Sequence, residues 1–397
     1  MVGNGPARIA YRHGREGVAG RGYRGGVRNE PTERAARWAA TMAGTDLGDG
    51  VRQAHAGDDA VRVATSVWDR LRREEAEAEL LAAGATRAVG AGRRARPEEP
   101  DLLRTCFERD RDRVLHSAAF RRLAGKTQVF IFPADHQRTR LTHALEVAQI
   151  ATAIARACRL NVALAEAIAL GHDCGHGPGG HASEDALDLF VPGFDHAVWG
   201  ADVTAAPLNL CAETLDGIRN HSWSRPAPAT PEGQVVGLAD RAAYCAHDLE
   251  DAIRAGVVAA ADIPAAVAAR IGVSRSQQLG TFVTDIVATV AETGLVGMSP
   301  EAGEALAGLR RFNHERIYLR PESVQQAETV VRMLRALVEH YHARPHLLPD
   351  PEAAAAAPLR AAVAYVDGMT DRFACAQAVT LLGWSPSWLP RGHDIGS

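Results

Sequence analysis

The sequence predicts a mostly α-helical protein with a minor β-hairpin, and three observations carry that prediction. From about residue 101 onward, apolar residues recur at helical spacing through segment after segment. The apolar share is 46% but aromatic residues make up only 5%, so the core is built largely from Ala, Leu and Val. Only one short run, Thr-Gln-Val-Phe-Ile-Phe at 127–132, is rich in β-formers, and it reads as a hairpin arm.

Taken in order, residues 1–35 are rich in Gly and Arg. Met1 to Arg28 holds six arginines and one acid, Glu16, with no helical or strand period, which predicts a disordered tail. Such a basic arm suits single-stranded DNA, and equally a solvated tail. Residues 36–99 read as a helical extension, with amphipathic helix within 60–83, followed by a linker of Ala, Gly, Arg and Pro at 84–99. Residues 107–123 read as one helix with Phe107, Val114, Leu115, Ala118 and Leu123 on its buried side. Residues 141–158 form an Ala-rich helix in which His143, Val147, Ile150 and Ile154 share one stripe. A helix at 161–171 follows, then one at 183–190 capped by Ser183, then a long helix at 233–254. Helices at 279–293, 300–312, 321–342 and 359–381, with a loop at 345–357, complete a C-terminal region from 261 to 397 packed on a core at 100–260.

Charge and composition exclude several classes. The net charge is -4, no run of 18 or more residues is apolar, and no signal-peptide pattern precedes the body, which predicts a soluble cytoplasmic protein with no membrane partner. Cys106, Cys158, Cys174, Cys211, Cys245 and Cys375 form no C-x-x-C pair, which argues for reduced thiols and against a zinc knuckle. Lys126 is the only lysine. Where charge alone matters Arg has replaced Lys throughout, so its survival marks a place for a compact ammonium, with phosphate contact the sharper reading and a neutral remnant the plainer one.

The chemistry is concentrated in three stretches. His143 lies in Arg140-Leu-Thr-His143, His172-Asp173-Cys-Gly-His176 follows, and Asp240 lies in Leu-Ala-Asp240-Arg. Imidazole nitrogens and carboxylate oxygens are the donors a first-row metal takes, and glycines 171 and 175 let adjacent His172 and Asp173 turn toward one point. His181 and Glu184 are three apart at a helix start, hence on one face. A carboxylate beside an imidazole orients it and favours its protonated form, which suits a general acid. Asp240, Tyr244 and Asp248 lie along one helix face, fit for a polyphosphate near the metal and a sugar beyond it, or simply solvated. Arg138, Arg140, Lys126 and Arg241 neighbour the ligands in sequence, as an anionic substrate requires, although surface arginines often serve only ion pairs.

These residues resemble the deoxyguanosinetriphosphate triphosphohydrolase-like (dGTPase/dNTPase) family of the HD superfamily. The resemblance rests on Phe107-Glu-Arg-Asp through Lys126-Thr-Gln-Val-Phe130, on Arg138 to Ile150, on the His172-Asp173 segment and on Pro231 to Asp248, and spans residues 90–380. The run Arg219-Asn-His-Ser-Trp-Ser-Arg-Pro resembles actinobacterial members. The resemblance implies an HD-domain helical core and a divalent metal (Mg, Mn or another first-row ion) held by His143, His172, Asp173 and Asp240. It implies His181 with Glu184 as catalytic pair, Arg140 on the α-phosphate, Gln128 on the sugar 3′-hydroxyl, and Tyr244 with Asp248 closing the sugar pocket. Lys126, His176, His221 and Arg241 complete the substrate-binding set it implies. The reaction would convert a dNTP to deoxynucleoside and inorganic triphosphate, with a nucleotide effector and a homo-oligomer as companions. Family members usually carry Pro-Pro-Phe-Gly-His where this chain has Gly177-Pro-Gly-Gly-His181, a departure that bears on rate and base preference. Two other readings share the motifs: an HD phosphohydrolase of nucleoside monophosphates or cyclic nucleotides, and a nucleic-acid-binding regulator with a vestigial site.

Overall fold

In the computed structural model, residues 32–41, 44–46, 50–55, 63, 65–133 and 136–390 are described. Of the Gly/Arg-rich tail expected at 1–35, residues 1–31 lie outside them, and residues 33–35 begin a helix. Two units divide at Val67. In the first, α1 (Glu33–Ala40) starts at Thr32, whose hydroxyl accepts the Ala35 N–H, and β1 (Thr45–Asp46) pairs antiparallel with β2 (Arg52–Gln53). This pair is the only sheet among the described residues.

The second unit is helical. It comprises α2 (Arg70–Leu80), α3 (Cys106–Leu115), α4 (Ala118–Arg122), α5 (Arg140–Ala157), α6 (Val162–Gly171), α7 (His181–Leu187), α8 (His196–Trp199), α9 (Ala212–Asn220), α10 (Pro231–Arg254), α11 (Ala265–Ile271), α12 (Arg275–Thr293), α13 (Pro300–Asn313), α14 (Pro321–His342), α15 (Pro351–Ala356), α16 (Pro358–Asp367) and α17 (Asp371–Leu382). Three clusters hold it together. Around α5, α6 and α10 the contacts are Ala, Val, Ile and Leu, with α3 and α9 outside them. A second cluster joins α7 to α14, α16 and α17, and a third joins α10 to α11, α12 and α13. None of the described helices is long and apolar enough to cross a membrane.

The helical prediction holds, with four local corrections. The hairpin arm at 127–132 is irregular, and only Thr127 makes a bridge, to Thr139. Its side chains divide between two cores: Val129 and Phe130 join the third cluster, Ile131 and Phe132 the second. Phe132 turns at φ 53°, which ends any extended run. The helix expected at 107–123 breaks at Ser117, whose hydroxyl accepts the Phe120 N–H and starts α4. Residues 359–381 divide into α16 and α17, with Thr370 capping the second. Ser183 does not cap α7 but lies within it, donating to the Gly180 carbonyl and accepting the Gly177 N–H.

The stretch 84–99, read as a linker, is irregular in backbone yet docked on the helical body. Thr86 gives both its N–H and its hydroxyl to Glu232, and Arg94 forms a buried pair with Asp110 at 2.6 Å. The loop expected at 345–357 contains the short α15.

Candidate metal centre and its histidine cluster

Helices α5, α6 and α10 pack against one another, and each delivers one donor to a common point. Thr139 caps α5, which sets Arg140 and His143 in the first turn facing inward. His172 is the C-cap of α6, where the helix ends and Asp173 can turn inward beside it. Asp240 lies mid-way along α10 and approaches His143 Nε2 at 3.0 Å and His172 Nε2 at 3.5 Å. His172 Nε2 is 3.4 Å from an oxygen of Asp173, and Arg140 holds the other Asp173 oxygen at 2.8 Å.

The residues present fit a cation. Donor atoms of His143, His172 and Asp240 all lie within 4.8 Å of one another, and so do those of His172, Asp173 and His221. His172 gives its Nδ1–H to the Ala169 carbonyl at 2.6 Å, which fixes the ring and presents Nε2. That nitrogen is buried and has no hydrogen-bond partner, although two carboxylates face it. Burial works against the charged ring of His172, but Asp173 and Asp240 outweigh it and hold the group up at about 9. Both carboxyls lie well below the usual range. Burial opposes this, whereas Arg140, His172 and His176 favour the ionised form of Asp173, and His143 and His172 that of Asp240. A pocket that draws positive charge to this degree suits a divalent metal.

A second histidine cluster adjoins it. Glu184 receives His181 Nδ1 at 2.7 Å on one oxygen and His196 Nδ1 at 2.7 Å on the other. These bonds, against the cost of burial, hold Glu184 well below the usual carboxylate range. His181 itself is 75% exposed at the mouth of the site. His196 stacks on His176 at 3.6 Å between ring centres, and its Nε2 faces His221 Nε2 at 3.2 Å. His221 gives its Nδ1–H to the Ile218 carbonyl at 2.8 Å, which turns its Nε2 toward His196. Burial, with His172 and His196 nearby, pushes His221 down to about 4.

The remaining expected residues divide. His176 lies over the centre, 3.4 Å from Asp173. The Gln128 Oε1 is buried without a hydrogen-bond partner. Tyr244 accepts a hydrogen bond from Arg310 at 2.9 Å, and Asp248 accepts one from Tyr318. Burial pushes Asp248 up to about 7. The Lys126 ammonium reaches two backbone carbonyls, those of His176 and Asp367, and is buried. Arg138 is enclosed by Glu146, Glu250 and Asp251. The Arg241 guanidinium carbon lies over the Trp223 ring, 3.9 Å from its centre. Sequence reading missed His196, Tyr318, Asp367 and Asp371. Each is brought in from a distant segment, and His196 follows Asp195 in a short stretch where no spacing ties it to Glu184.

Comparison with known proteins places this arrangement. Residues 140–245 match the HD domain, and residues 296–379 match a phosphohydrolase-associated domain. A deoxyguanosinetriphosphate triphosphohydrolase-like protein of Caldanaerobacter subterraneus is 43% identical over 313 residues, covering 76% of this chain and 92% of that protein. The chain belongs to the dGTPase-like family of HD-domain proteins. Similarly named proteins of Clostridium perfringens (43% identical, 65% of this chain and 80% of that one) and Desulfatibacillum aliphaticivorans (38%, 77% and 95%) extend the match. The HD match contains all four expected metal ligands of this dGTPase-like chain, together with His181, Glu184, His196 and His221.

Proposed function

We propose that this protein is a nucleotide phosphohydrolase that cleaves deoxynucleoside triphosphates to deoxynucleoside and inorganic triphosphate. The observation that carries the reading is the convergence of His143, His172 and Asp240, with Asp173 beside them, next to a separate His181–Glu184 pair open to solvent. One site gathers positive charge; the other holds a proton donor at its rim.

His143, His172, Asp173 and Asp240 would hold Mg, Mn or another first-row metal, which when bound activates water and polarises the phosphoryl group. Arg140 orients Asp173, and its buried Nε, which lacks a partner, is the donor left for an α-phosphate oxygen. Glu184 fixes the His181 ring through Nδ1, so that Nε2 can give its proton to the departing 5′-oxygen. His176, His221 and Arg241 surround the phosphates, and Gln128 has an unused acceptor for the sugar 3′-hydroxyl. Tyr244 and Asp248 form the wall against a 2′-hydroxyl. A homo-oligomer, a nucleotide effector and a cytoplasmic setting belong to the same reading.

Anion-exchange analysis of products from each dNTP with Mg²⁺ or Mn²⁺, beside Asp240→Ala, tests it. The expected result is deoxynucleoside plus intact triphosphate, lost in the variant. Orthophosphate as product, or turnover only of monophosphates or cyclic nucleotides, would replace the reading by another HD specificity. Turnover of dNTP mixtures but not of single dNTPs would show the effector.

A further inference from the structure

Four cations neighbour the expected ligands in sequence, and three are already compensated. Arg138 contacts carboxylates at 2.7, 2.7 and 2.6 Å. Arg140 pairs with Asp173. Lys126 is closed off by two carbonyls. Arg241 differs. Among the described residues it makes no ion pair with a carboxylate, and its guanidinium instead lies 3.9 Å from the Trp223 ring centre.

That indole is held in place. Its Nε1–H donates to the Gly237 carbonyl at 2.8 Å, which is also the helical acceptor for the Arg241 backbone N–H four residues on. The ring therefore lies against the turn that bears Arg241. Gly237 permits this, because a Cβ there would stand 2.8 Å from the His221 carbonyl. Trp223 is two residues beyond His221, so one loop supplies both a ring beside the centre and a brace for Arg241. The brace lies at the surface, with Trp223 48% exposed and Arg241 half-buried.

We propose that Trp223 is a positioning residue that holds Arg241 ready for the distal phosphates of a polyphosphate substrate. The proposal rests on the dNTP reading above. An indole face restrains a guanidinium without neutralising it, as a carboxylate would. Arg241 projects from α10 one residue past Asp240, about 100° around the helix, so it reaches beside the centre and not into it. The device discriminates triphosphate from monophosphate by charge beyond the α-phosphorus, and adds nothing to the chemical step.

The test compares wild type, Trp223→Phe and Trp223→Leu, measuring kcat and KM for a dNTP and calorimetric binding of inorganic tripolyphosphate in excess Mg²⁺. Trp223→Leu should raise KM and the tripolyphosphate Kd about fivefold with kcat changed less than about twofold. Trp223→Phe, which keeps an aromatic face, should stay near wild type. Tripolyphosphate should also alter the tryptophan fluorescence of wild type more than that of Trp223→Phe. Unchanged KM and Kd in Trp223→Leu, or a loss of kcat and thermal stability without a change in KM, would overturn the brace. Wild-type protein that neither releases nor binds triphosphate would instead overturn the dNTP reading itself.

Discussion

At the scale of single residues, exposure separates chemistry from architecture. His181 is bonded only through one ring nitrogen and is otherwise in solvent, so removing it should cost catalysis and little else. His181→Ala is expected to lower kcat about 100-fold or more while leaving the thermal midpoint unchanged. His196 is buried between Glu184 and His221, so His196→Ala should both lower kcat and displace the acid limb of the pH–rate profile, because Glu184 loses the partner that fixes it. A profile of unchanged shape would make His196 a packing residue only. Asp248 gives a stability prediction. Burial pushes its carboxyl up to about 7, from 3.8. Between those values the folded protein keeps a proton that the unfolded chain releases, so Asp248 favours the fold below pH 4 and that contribution is lost as pH rises through 7. Asp248→Asn has no such proton. Its melting temperature relative to wild type should therefore climb by about 3 °C or more between pH 5 and pH 8, and a flat difference would contradict the assignment.

At the scale of elements, the helices bearing the ligands were legible and the joints were not. The stripe of His143, Val147, Ile150 and Ile154 marks α5 from its period alone, and 321–342 is observed with the bounds expected. The break at Ser117 and the split before Asp371 were hidden, because apolar spacing runs on through a cap and the capping hydroxyl is one Ser or Thr among many. The β-rich run at 127–132 misled for a related reason: β-branched and aromatic residues also serve segments that straddle two cores. The ligands were legible by type and order, but the shared device of His172 and His221 was not. Each stands just after the last residue of its helix and turns Nδ1 back on a carbonyl three residues earlier. The glycines of the centre loop are a joint whose need is steric. A Cβ at Gly175 would stand 2.1 Å from the His196 carbonyl and 2.4 Å from the Gly200 nitrogen, both backbone atoms that cannot swing aside. Gly175→Ala should thus cost about 3 kcal/mol in denaturant unfolding and reduce activity through the displaced α8. A variant of wild-type stability would show that the loop has room to move.

At the scale of the whole molecule, the region matching the HD domain and the region matching the phosphohydrolase-associated domain are tied at the loop that carries the chemistry. Lys126 donates to the carbonyl of His176 in the first and of Asp367 in the second. Asp371 accepts the Thr127 hydroxyl at 2.6 Å and the Gly179 N–H at 2.9 Å. The sharper expectation for Lys126, direct phosphate contact, has this closed arrangement as its structural counterpart: a compact ammonium fits between two carbonyls where a guanidinium fork would not. Lys126→Met should lower stability by about 2 kcal/mol, since two buried carbonyls lose a donor, and Lys126→Arg should not restore it. Equal stability in all three proteins would dismiss the clasp.

The burial of this one lysine also leaves the described surface without an ε-amine. Amine-acylating reagents should therefore leave Lys126 of the folded chain unmarked. Any label that appears on Lys126 would date the moment at which α16 parts from the His176 loop, making the residue a built-in clock for separation of the two regions.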